Sequence, residues 1–417
     1  MKQDFIEKIF IGSLLAVPLL VIFATEKVVF FGAPFYVPEV FTIFALGSLL
    51  MRERSVRFIH PRMGILFLAL FLIAVGLGIG AFSNDMTPHG YGRIKSWFVF
   101  PLLYGSMLAF SLRRNMLSRE DIFRSVFFGG ILVGMATFVS IFSGGGFSYD
   151  HRLHGFFSSP NQLALLLGTA LIIGVFLAIS LWGKPGKERL TILFGVLFLG
   201  MLLLLTQSYT VLFSLMMVAG IGIARYRHRF PRRQVVIFFL GFILCVGILL
   251  TLSYPKWQSI TTSDERSSLA SRGMIWQSAL QMIREYPLIG IGPGNFQREY
   301  IAYQQYFPPY LEWSVPHPHN SFLDLWLEGG LFAVIGFALF FWHWLASSVR
   351  DFFAKKKEDA VRALPFFLGI YFFLTGLTDV PFLGNDLAYF FTTAFVLSLF
   401  LMRESIDVSD RLSHHGD

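Results

Sequence analysis

Two histidines in a proline-bounded run are the residues of this sequence best suited to chemistry at neutral pH. His317 and His319 lie in Pro316-His317-Pro318-His319-Asn320, at the end of the polar segment Tyr254–Asn320 of an otherwise apolar chain. An imidazole titrates near neutral pH and can remove a proton from a hydroxyl group. The run therefore predicts a general base. Two alternatives stay open, because H-x-H can supply two metal ligands and a histidine in a wet loop can also lack a function.

A metal site at this run would need further ligands. Asp324 and Glu328 are four residues apart on the following helix, so they share one face and could contribute. The two prolines, however, hold the histidine pair extended, and this should direct the imidazoles to opposite sides. We therefore expect neither a metal nor a cofactor, and we predict His319 as the base.

The polar segment also contains an arginine at a suggestive place. Ser267–Glu285 reads as an amphipathic helix with Arg272 on its polar side. Its apolar stripe is expected at Leu269, Trp276, Leu280 and Ile283. Such a helix should lie along the membrane surface with its aromatic side in the headgroup region. A guanidinium offers paired donors to phosphate oxygens, although Arg272 could equally extend only to the interface.

A glycine-rich stretch follows this helix. Gly290 to Asn295 resembles part of a phosphate-binding glycine pattern, but no strand precedes it. We interpret it as a tight turn after Pro287.

Composition indicates the elements that must position these residues. The chain has 417 residues, of which 55% are hydrophobic and 14% charged, whereas soluble domains carry about 25% charged residues. We predict an all-α, polytopic membrane protein of about twelve transmembrane helices, since apolar windows of about 17 to 25 residues can cross a bilayer. Twelve such windows occur, at 9–25, 30–51, 63–82, 96–112, 122–142, 161–183, 190–206, 208–224, 234–253, 320–346, 363–379 and 386–402. The single cysteine, Cys245, excludes an internal disulfide framework.

The distribution of Lys and Arg predicts the orientation. With a cytoplasmic N-terminus, 25 of these residues fall on the inner side and nine on the outer side. Both termini should be cytoplasmic and the polar segment periplasmic. The expected organisation is one integrated membrane domain, with spans in 1–253, a periplasmic segment at 254–319, and the last spans and tail in 320–417. The basic run 225–233 should contact lipid headgroups and not nucleic acid.

Two other outer segments are polar, and we expect them to converge with the long one. They are Ser83–Lys95, with Arg93, and Ser143–Gln162, with Arg152. Carboxylates at the span ends are costly in a membrane and should face a cavity or pair with an arginine. These carboxylates are Glu39, Asp324, Glu328, Asp379 and Asp386.

Several motifs, in order, resemble those of the O-antigen ligase and O-antigen polymerase superfamily, which are bacterial GT-C-type membrane glycosyltransferases. The motifs are Arg152-Leu153-His154-Gly155-Phe156, Pro160-Asn161-Gln162-Leu163-Ala164, Ser271-Arg272 with Ile275-Trp276, Pro287 to Phe296, and His319-Asn320-Ser321 with Glu328-Gly329-Gly330. The H-x10-G signature of that family falls on His319 and Gly330. The resemblance spans residues 150–335.

The resemblance implies a function in the bacterial inner membrane. A glycan on undecaprenyl pyrophosphate would move, with inversion and without a metal or nucleotide sugar, onto a sugar hydroxyl. The acceptor would be a growing glycan for a polymerase or lipid A-core for a ligase. His319 would be the base, oriented by Asn320 or Glu328, with His317 a secondary candidate. Arg272, Arg152 and Arg93 would bind the donor.

One departure from the family pattern concerns a cation. Family members often carry Ser-Arg where this chain has Gln207-Ser208-Tyr209, so a cationic contact to the donor is either missing or supplied by Arg93 or Lys95. Two other functions stay open. A transporter suits twelve spans, although transporters typically show internal repeats and midplane polar sites. A zinc-dependent membrane hydrolase would use the histidine pair.

Overall fold

A computed structural model gives the fold of most of the chain. It describes residues 2–24, 26–30, 33–53, 64–148, 150–181, 186–226, 268–308, 314–353 and 360–413. The ninth predicted window, 234–253, lies outside these residues, as do Cys245 and most of the basic run 225–233.

The described chain is almost entirely helical. Its helices are α1 (Lys2–Leu19), α2 (Val37–Arg52), α3 (Gly64–Ser83), α4 (Pro88–Arg93), α5 (Phe100–Arg113), α6 (Arg119–Phe142), α7 (Pro160–Ser180), α8 (Lys187–Leu205), α9 (Tyr209–Tyr226), α10 (Ser268–Glu285), α11 (Phe296–Tyr303), α12 (Ser321–Phe353), α13 (Leu364–Gly376) and α14 (Asn385–Ser413). Short 3-10 turns are Leu20–Phe23, Gln304–Tyr306 and Ala360–Ala363, and a π-helical turn, Ile94–Val99, joins α4 to α5. Strands β1 (Lys27–Phe30) and β2 (Ala33–Tyr36) form one antiparallel hairpin.

Seven of the described helices are long and apolar enough to cross a membrane, and two shorter apolar helices accompany them. The prediction of an all-α polytopic membrane protein is confirmed. The predicted window 30–51 differs from the observed helix at its start, because the residues before Val37 form the hairpin. Glu39 and Pro38 explain the boundary: the Glu39 carboxylate accepts from the Tyr36 amide at 2.9 Å, and a proline early in a helix fixes its start.

Helix α12 packs closely along α3 over small residues. A side chain at Gly76 would approach the Gly329 carbonyl oxygen to 2.5 Å and the Ala333 amide to 2.6 Å. Small residues at such a crossing let two membrane helices bring their backbones together. The pair therefore forms a rigid support for whatever the outer end of α12 carries.

Helix α12 is interrupted two turns after its start. Gly330 has φ +65° and ψ −159°, so the helical hydrogen-bond ladder breaks there. The turn after α10 fills the gap: the Ile291 amide donates to the Leu327 carbonyl at 2.7 Å, and the Leu331 amide donates to the Leu288 carbonyl at 3.1 Å. Backbone groups left free by the break are thus satisfied. This attachment of the turn to α12 also explains structurally why a glycine stands at position 330, the last residue of the H-x10-G signature.

We predict that Gly330→Ala destabilises the fold. The new methyl group would collide with the Leu288 carbonyl, and a positive φ is itself unfavourable for alanine. The expected loss is about 1–3 kcal/mol of unfolding free energy, seen as a lower Tm in detergent. Gly144→Ala is the matched control, since Gly144 has φ +78° but open space around it. Equal Tm values for the two variants would show that the contact with Leu288 is unimportant.

The segment after residue 268 folds as predicted, with one difference. α10 is the expected helix, but its buried face consists of Met274, Ile275, Ala279, Met282 and Ile283. Of the predicted stripe, Ile283 is buried while Leu280 is 44% exposed. This face packs on α11 and α12 as a second small core, which we call the outer lobe (268–308). The indole N–H of Trp276, on the predicted stripe, donates to the Pro318 carbonyl at 2.9 Å.

Candidate functional site

The polar segments converge at one end of the helix bundle. The Asn320 amide group donates to the Leu377 carbonyl at 2.9 Å, and the Leu153 amide donates to the Leu205 carbonyl at 2.9 Å. A guanidinium nitrogen of Arg93 donates to the Pro316 carbonyl at 2.8 Å. The predicted convergence is therefore observed, and it also includes the loop between α13 and α14.

The two imidazoles lie side by side, which contradicts the expectation that the prolines separate them. His319 has φ +51°, a left-handed conformation that folds the run back on itself. Its amide then donates to Nδ1 of His317 at 3.2 Å, and the ring centroids are 4.2 Å apart. Proline restricts its own φ but not that of the residue after it. Left-handed backbone at a non-glycine residue is often found at functional sites.

A carboxylate completes the pair. Asp379 Oδ1 lies 3.5 Å from His319 Nδ1, and Asp379 is only 7% exposed. Burial alone would raise the pKa of Asp379, but the hydrogen bond and charge of His319 hold it well below its usual range, and the positive charge of Arg272 acts in the same direction. The carboxylate is therefore ionised. It favours the His319 tautomer with the proton on Nδ1, which leaves Nε2 as a basic lone pair.

Neither residue predicted to orient His319 does so. Asn320 Oδ1 instead accepts from the amides of Phe322 and Leu323 at 2.9 and 3.1 Å, so Asn320 caps the start of α12. Glu328 forms an ion pair with Arg93. Asp379 takes the orienting place. The sequence signal for it was an acidic residue in the short turn between the last two apolar windows.

His317 is buried and electrically neutral. Burial lowers the pKa of His317 well below its ordinary value, and the charges of His319, Arg93 and Arg272 lower it further, against Asp379. Its Nδ1 accepts a hydrogen bond, so its proton is on Nε2. His317 thus supports the backbone of His319 and is a poor proton acceptor.

Arg152 is anchored beside this site. Its Nε donates to the Thr206 carbonyl at 2.9 Å and one Nη donates to Asn161 Oδ1 at 2.7 Å. Burial lowers the pKa of Arg152, as does the charge of Arg272, whereas Asp150 and Asp379 raise it. A guanidinium remains charged despite such shifts. Arg152 is therefore a fixed cation close to Arg272 and Asp379.

Arg272, near the start of α10, is half-buried. Its charge acts on Arg152, His317 and Asp379, which places it beside all three. Among the residues that the structure describes, Arg272 has no hydrogen-bond or ion-pair partner. Two like charges held together, one of them without a counterion in this part of the chain, form a site for an anion.

Arg93 and Lys95, the two residues considered for the missing cation, are both paired with carboxylates. Arg93 is 4% exposed and engaged with Glu328, and the Lys95 ammonium lies 2.8 Å from a Glu39 oxygen. At the turn after α8, where the family pattern has an arginine, the guanidinium of Arg152 contacts Thr206. Arg152 thus places a positive charge beside Gln207-Ser208-Tyr209.

Comparison with known proteins finds a match for part of the chain. Residues 194–338 match the family model described as O-antigen ligase. This part of the chain is similar to that family. Arg272, His317, His319 and Gly330 lie inside the matched region, whereas Arg152 and Asp379 lie outside it and are brought to the site by the fold.

A curated protein similar to this chain comes from Acinetobacter baylyi. It is named a ComP-specific O-oligosaccharyltransferase and is 25% identical over 274 residues, which are 61% of this chain and 49% of the relative. The chain thus matches about half the length of that relative.

The candidate site also offers three donors for a metal. One donor atom from each of His317, His319 and Asp379 lies within 4.8 Å of the others. The two histidines are the ligands that the sequence suggested, but the carboxylate is Asp379, because Asp324 and Glu328 face Arg93. The nearby positive charges of Arg93 and Arg272, which already lower the pKa of His317, also oppose a divalent cation. The residues fit a base with its carboxylate better than a metal site.

Asp379→Asn should slow the reaction that depends on His319. The asparagine amide cannot stabilise an imidazolium and no longer selects the Nδ1–H tautomer. We expect kcat to fall roughly 10- to 100-fold, less than for loss of the base itself. Initial rates at saturating donor measure this, with Asp150→Asn as the control. Full activity of the Asp379 variant would exclude the carboxylate from the mechanism.

Proposed function

We propose that this protein is a membrane glycosyltransferase that moves a glycan from a lipid pyrophosphate onto an acceptor hydroxyl. The observation that carries the proposal is the His319–Asp379 pair beside Arg272 and Arg152. A base and an anion site at one bundle end are what such a transfer requires. The match of residues 194–338 to the O-antigen ligase family supports it.

His319 acts on the acceptor in this proposal. Nε2 takes the proton of the acceptor hydroxyl while the oxygen attacks the anomeric carbon, and the imidazolium that forms is stabilised by Asp379 at 3.5 Å. The new bond joins the acceptor oxygen to the anomeric carbon. A single displacement of this kind inverts the configuration at that carbon.

The arginines act on the leaving group. The bond between the anomeric carbon and the pyrophosphate oxygen breaks, and both electrons remain on the pyrophosphate. Arg272, which has no hydrogen-bond partner among the described residues, supplies donors to this growing negative charge, and Arg152 supplies a second fixed cation. Preorganised charges of this type stabilise a transition state because they need no rearrangement during the reaction.

The donor is undecaprenyl pyrophosphate carrying a glycan, and the reaction takes place at the periplasmic face of the inner membrane. The Lys and Arg distribution supports this orientation. The polar bundle end would lie at the outer interface, where a lipid-linked sugar can reach the arginines while its tail stays in the bilayer.

The acceptor class is the next question. A sugar hydroxyl on a growing glycan or on lipid A-core suits the base at His319. A serine or threonine hydroxyl suits it equally, since only the proton-bearing oxygen enters the chemistry. The similarity to a protein named a ComP-specific O-oligosaccharyltransferase brings protein hydroxyls into consideration.

One assay tests the function and separates the acceptors. Purified protein is incubated with an undecaprenyl-pyrophosphate oligosaccharide alone, with lipid A-core, or with a serine-containing protein acceptor. Self-coupling of the donor would indicate a polymerase, and single transfer to either acceptor would indicate a ligase. We expect EDTA to leave the rate unchanged. No product with any acceptor, together with donor movement across proteoliposomes, would replace the proposal by transport.

A further inference from the structure

Arg93 has more protein partners than a substrate-binding arginine should. Its guanidinium pairs with Glu328, donates to the Pro316 carbonyl at 2.8 Å, and lies 4.6 Å from the Trp97 ring centroid. Asp324 adds a second carboxylate oxygen at 4.0 Å. The charge of Arg93 is thus neutralised inside the protein, and the side chain is only 4% exposed.

These contacts connect separate parts of the site. Arg93 ends α4, Glu328 belongs to the first turns of α12, and Pro316 directly precedes the two histidines. Glu328 Oε1 also faces the Gly294 amide at 3.4 Å, so the turn after α10 joins the same cluster. The Arg93 guanidinium therefore links α4 and α12 directly to the histidine run. Through Glu328 it is also linked to the turn that follows α10.

The Pro316 carbonyl is the important partner. The run after it turns back through His319 at φ +51°, and a displacement of Pro316 would be passed on to the imidazole beside Asp379. Trp276 holds the same run from the other side through the Pro318 carbonyl at 2.9 Å. The His319 backbone is therefore fixed by two side-chain donors, one on each side of His317.

We propose that Arg93 is a positioning residue: it is held by Glu328 and anchors the Pro316 carbonyl, so that His319 meets Asp379 and the acceptor. This inference rests on the proposed function of His319 as the base. It replaces the expectation that Arg93 binds the donor, because an arginine paired with two carboxylates offers little attraction to a pyrophosphate.

The test uses a double variant that changes Arg93 and Glu328 together, so that Glu328 is not left as a buried carboxylate without its partner. Arg93→Met alone would leave the Glu328 carboxylate buried without its partner and could prevent folding. Arg93→Met with Glu328→Gln removes both charges, retains an acceptor for the Gly294 amide, and loses the anchor on Pro316. Expression and Tm in detergent show whether the fold is retained.

The chain supplies a matched control. Lys95 also pairs with a carboxylate, Glu39, and also donates to a proline carbonyl, that of Pro34 at 2.8 Å. Lys95→Met with Glu39→Gln therefore removes the same two types of contact away from the histidine run. We expect this control to keep its kcat.

For the Arg93 and Glu328 double variant we expect kcat to fall about 100-fold, since a displacement near 1 Å can cost this much. The donor KM should stay within about threefold of the original.

Arg93 lines an apolar cavity of about 120 Å³ between α3, α5, α12 and α14. Guanidinium ion added at millimolar concentration should enter the enlarged cavity and restore part of kcat. A raised donor KM with unchanged kcat would instead identify Arg93 as a donor ligand.

A second readout does not depend on activity. Diethyl pyrocarbonate modifies accessible neutral imidazoles, and mass spectrometry can compare its rate at His319 with that at His154. Release of Pro316 should raise the His319 rate in the Arg93 and Glu328 variant but not in the Lys95 control. If the protein proves not to be a transferase, this rate still tests the anchor. An unchanged His319 rate together with unchanged kcat would overturn the proposal.

Discussion

Replacing His319 by alanine should lower kcat for glycan transfer by roughly 10³-fold or more, within the range found for loss of a general base. The variant should still fold, because the side chain of His319 is 25% exposed and its ring and ionic partners in the described part of the chain are His317 and Asp379. A left-handed φ is somewhat unfavourable for alanine, so His319→Asn is a useful companion, since asparagine tolerates that conformation. Both variants should lose transfer while keeping the Tm of the parent protein.

His343→Gln is the control for this experiment. His343 lies on α12, the helix that begins just after His319. It is 24 positions after His319, and this spacing corresponds to about 35 Å along the helix axis. Its activity should match that of the parent protein. Near-normal kcat in both His319 variants would remove the imidazole from the reaction and leave the site as an anion-binding pocket without a base.

The second large effect is expected at Arg272. Arg272→Ala should lower kcat by about 10²- to 10³-fold, because it removes donors aimed at the charge that develops on the leaving pyrophosphate. Arg272→Lys should recover only part of this loss, since an ammonium is a point charge without the paired geometry of a guanidinium. Initial rates with a lipid-linked oligosaccharide donor measure both.

Arg284 provides the comparison on the same helix. It lies in the last turn of α10 and is exposed. Arg284→Ala should leave transfer unchanged. If Arg272→Ala and Arg284→Ala both keep the transfer rate of the parent protein, Arg272 does not bind the pyrophosphate. It would then only extend to the membrane interface, which is the alternative that the sequence left open.

The helices and the convergence of the polar segments could be predicted from the sequence, because both depend on local signals. Apolar windows predict helices, and loops on one side of a bundle must lie near each other. α10 and the glycine turn after it were predicted for the same reason. The hairpin before α2 was missed because alternating and continuous apolar residues look alike over a few positions.

The partners of individual side chains could not be obtained in this way. Asp379 and Glu328 are both acidic residues at the ends of apolar windows, and only the three-dimensional arrangement shows that Asp379 faces His319 while Glu328 faces Arg93. The side-by-side imidazoles depend on one backbone angle at His319 that no proline rule determines. Charge pairing across hundreds of residues is a property of packing, and a residue pattern does not contain it.

The interrupted helix α12 has a consequence for how such a protein can diversify. The bonds that hold the turn after α10 in the gap are made by backbone groups at Leu288, Ile291, Leu327 and Leu331. Exchange of amino acids on the exposed side of the outer lobe would leave those bonds in place. New surfaces facing an acceptor could therefore evolve there without moving Arg272 on α10 relative to His319, which directly precedes α12.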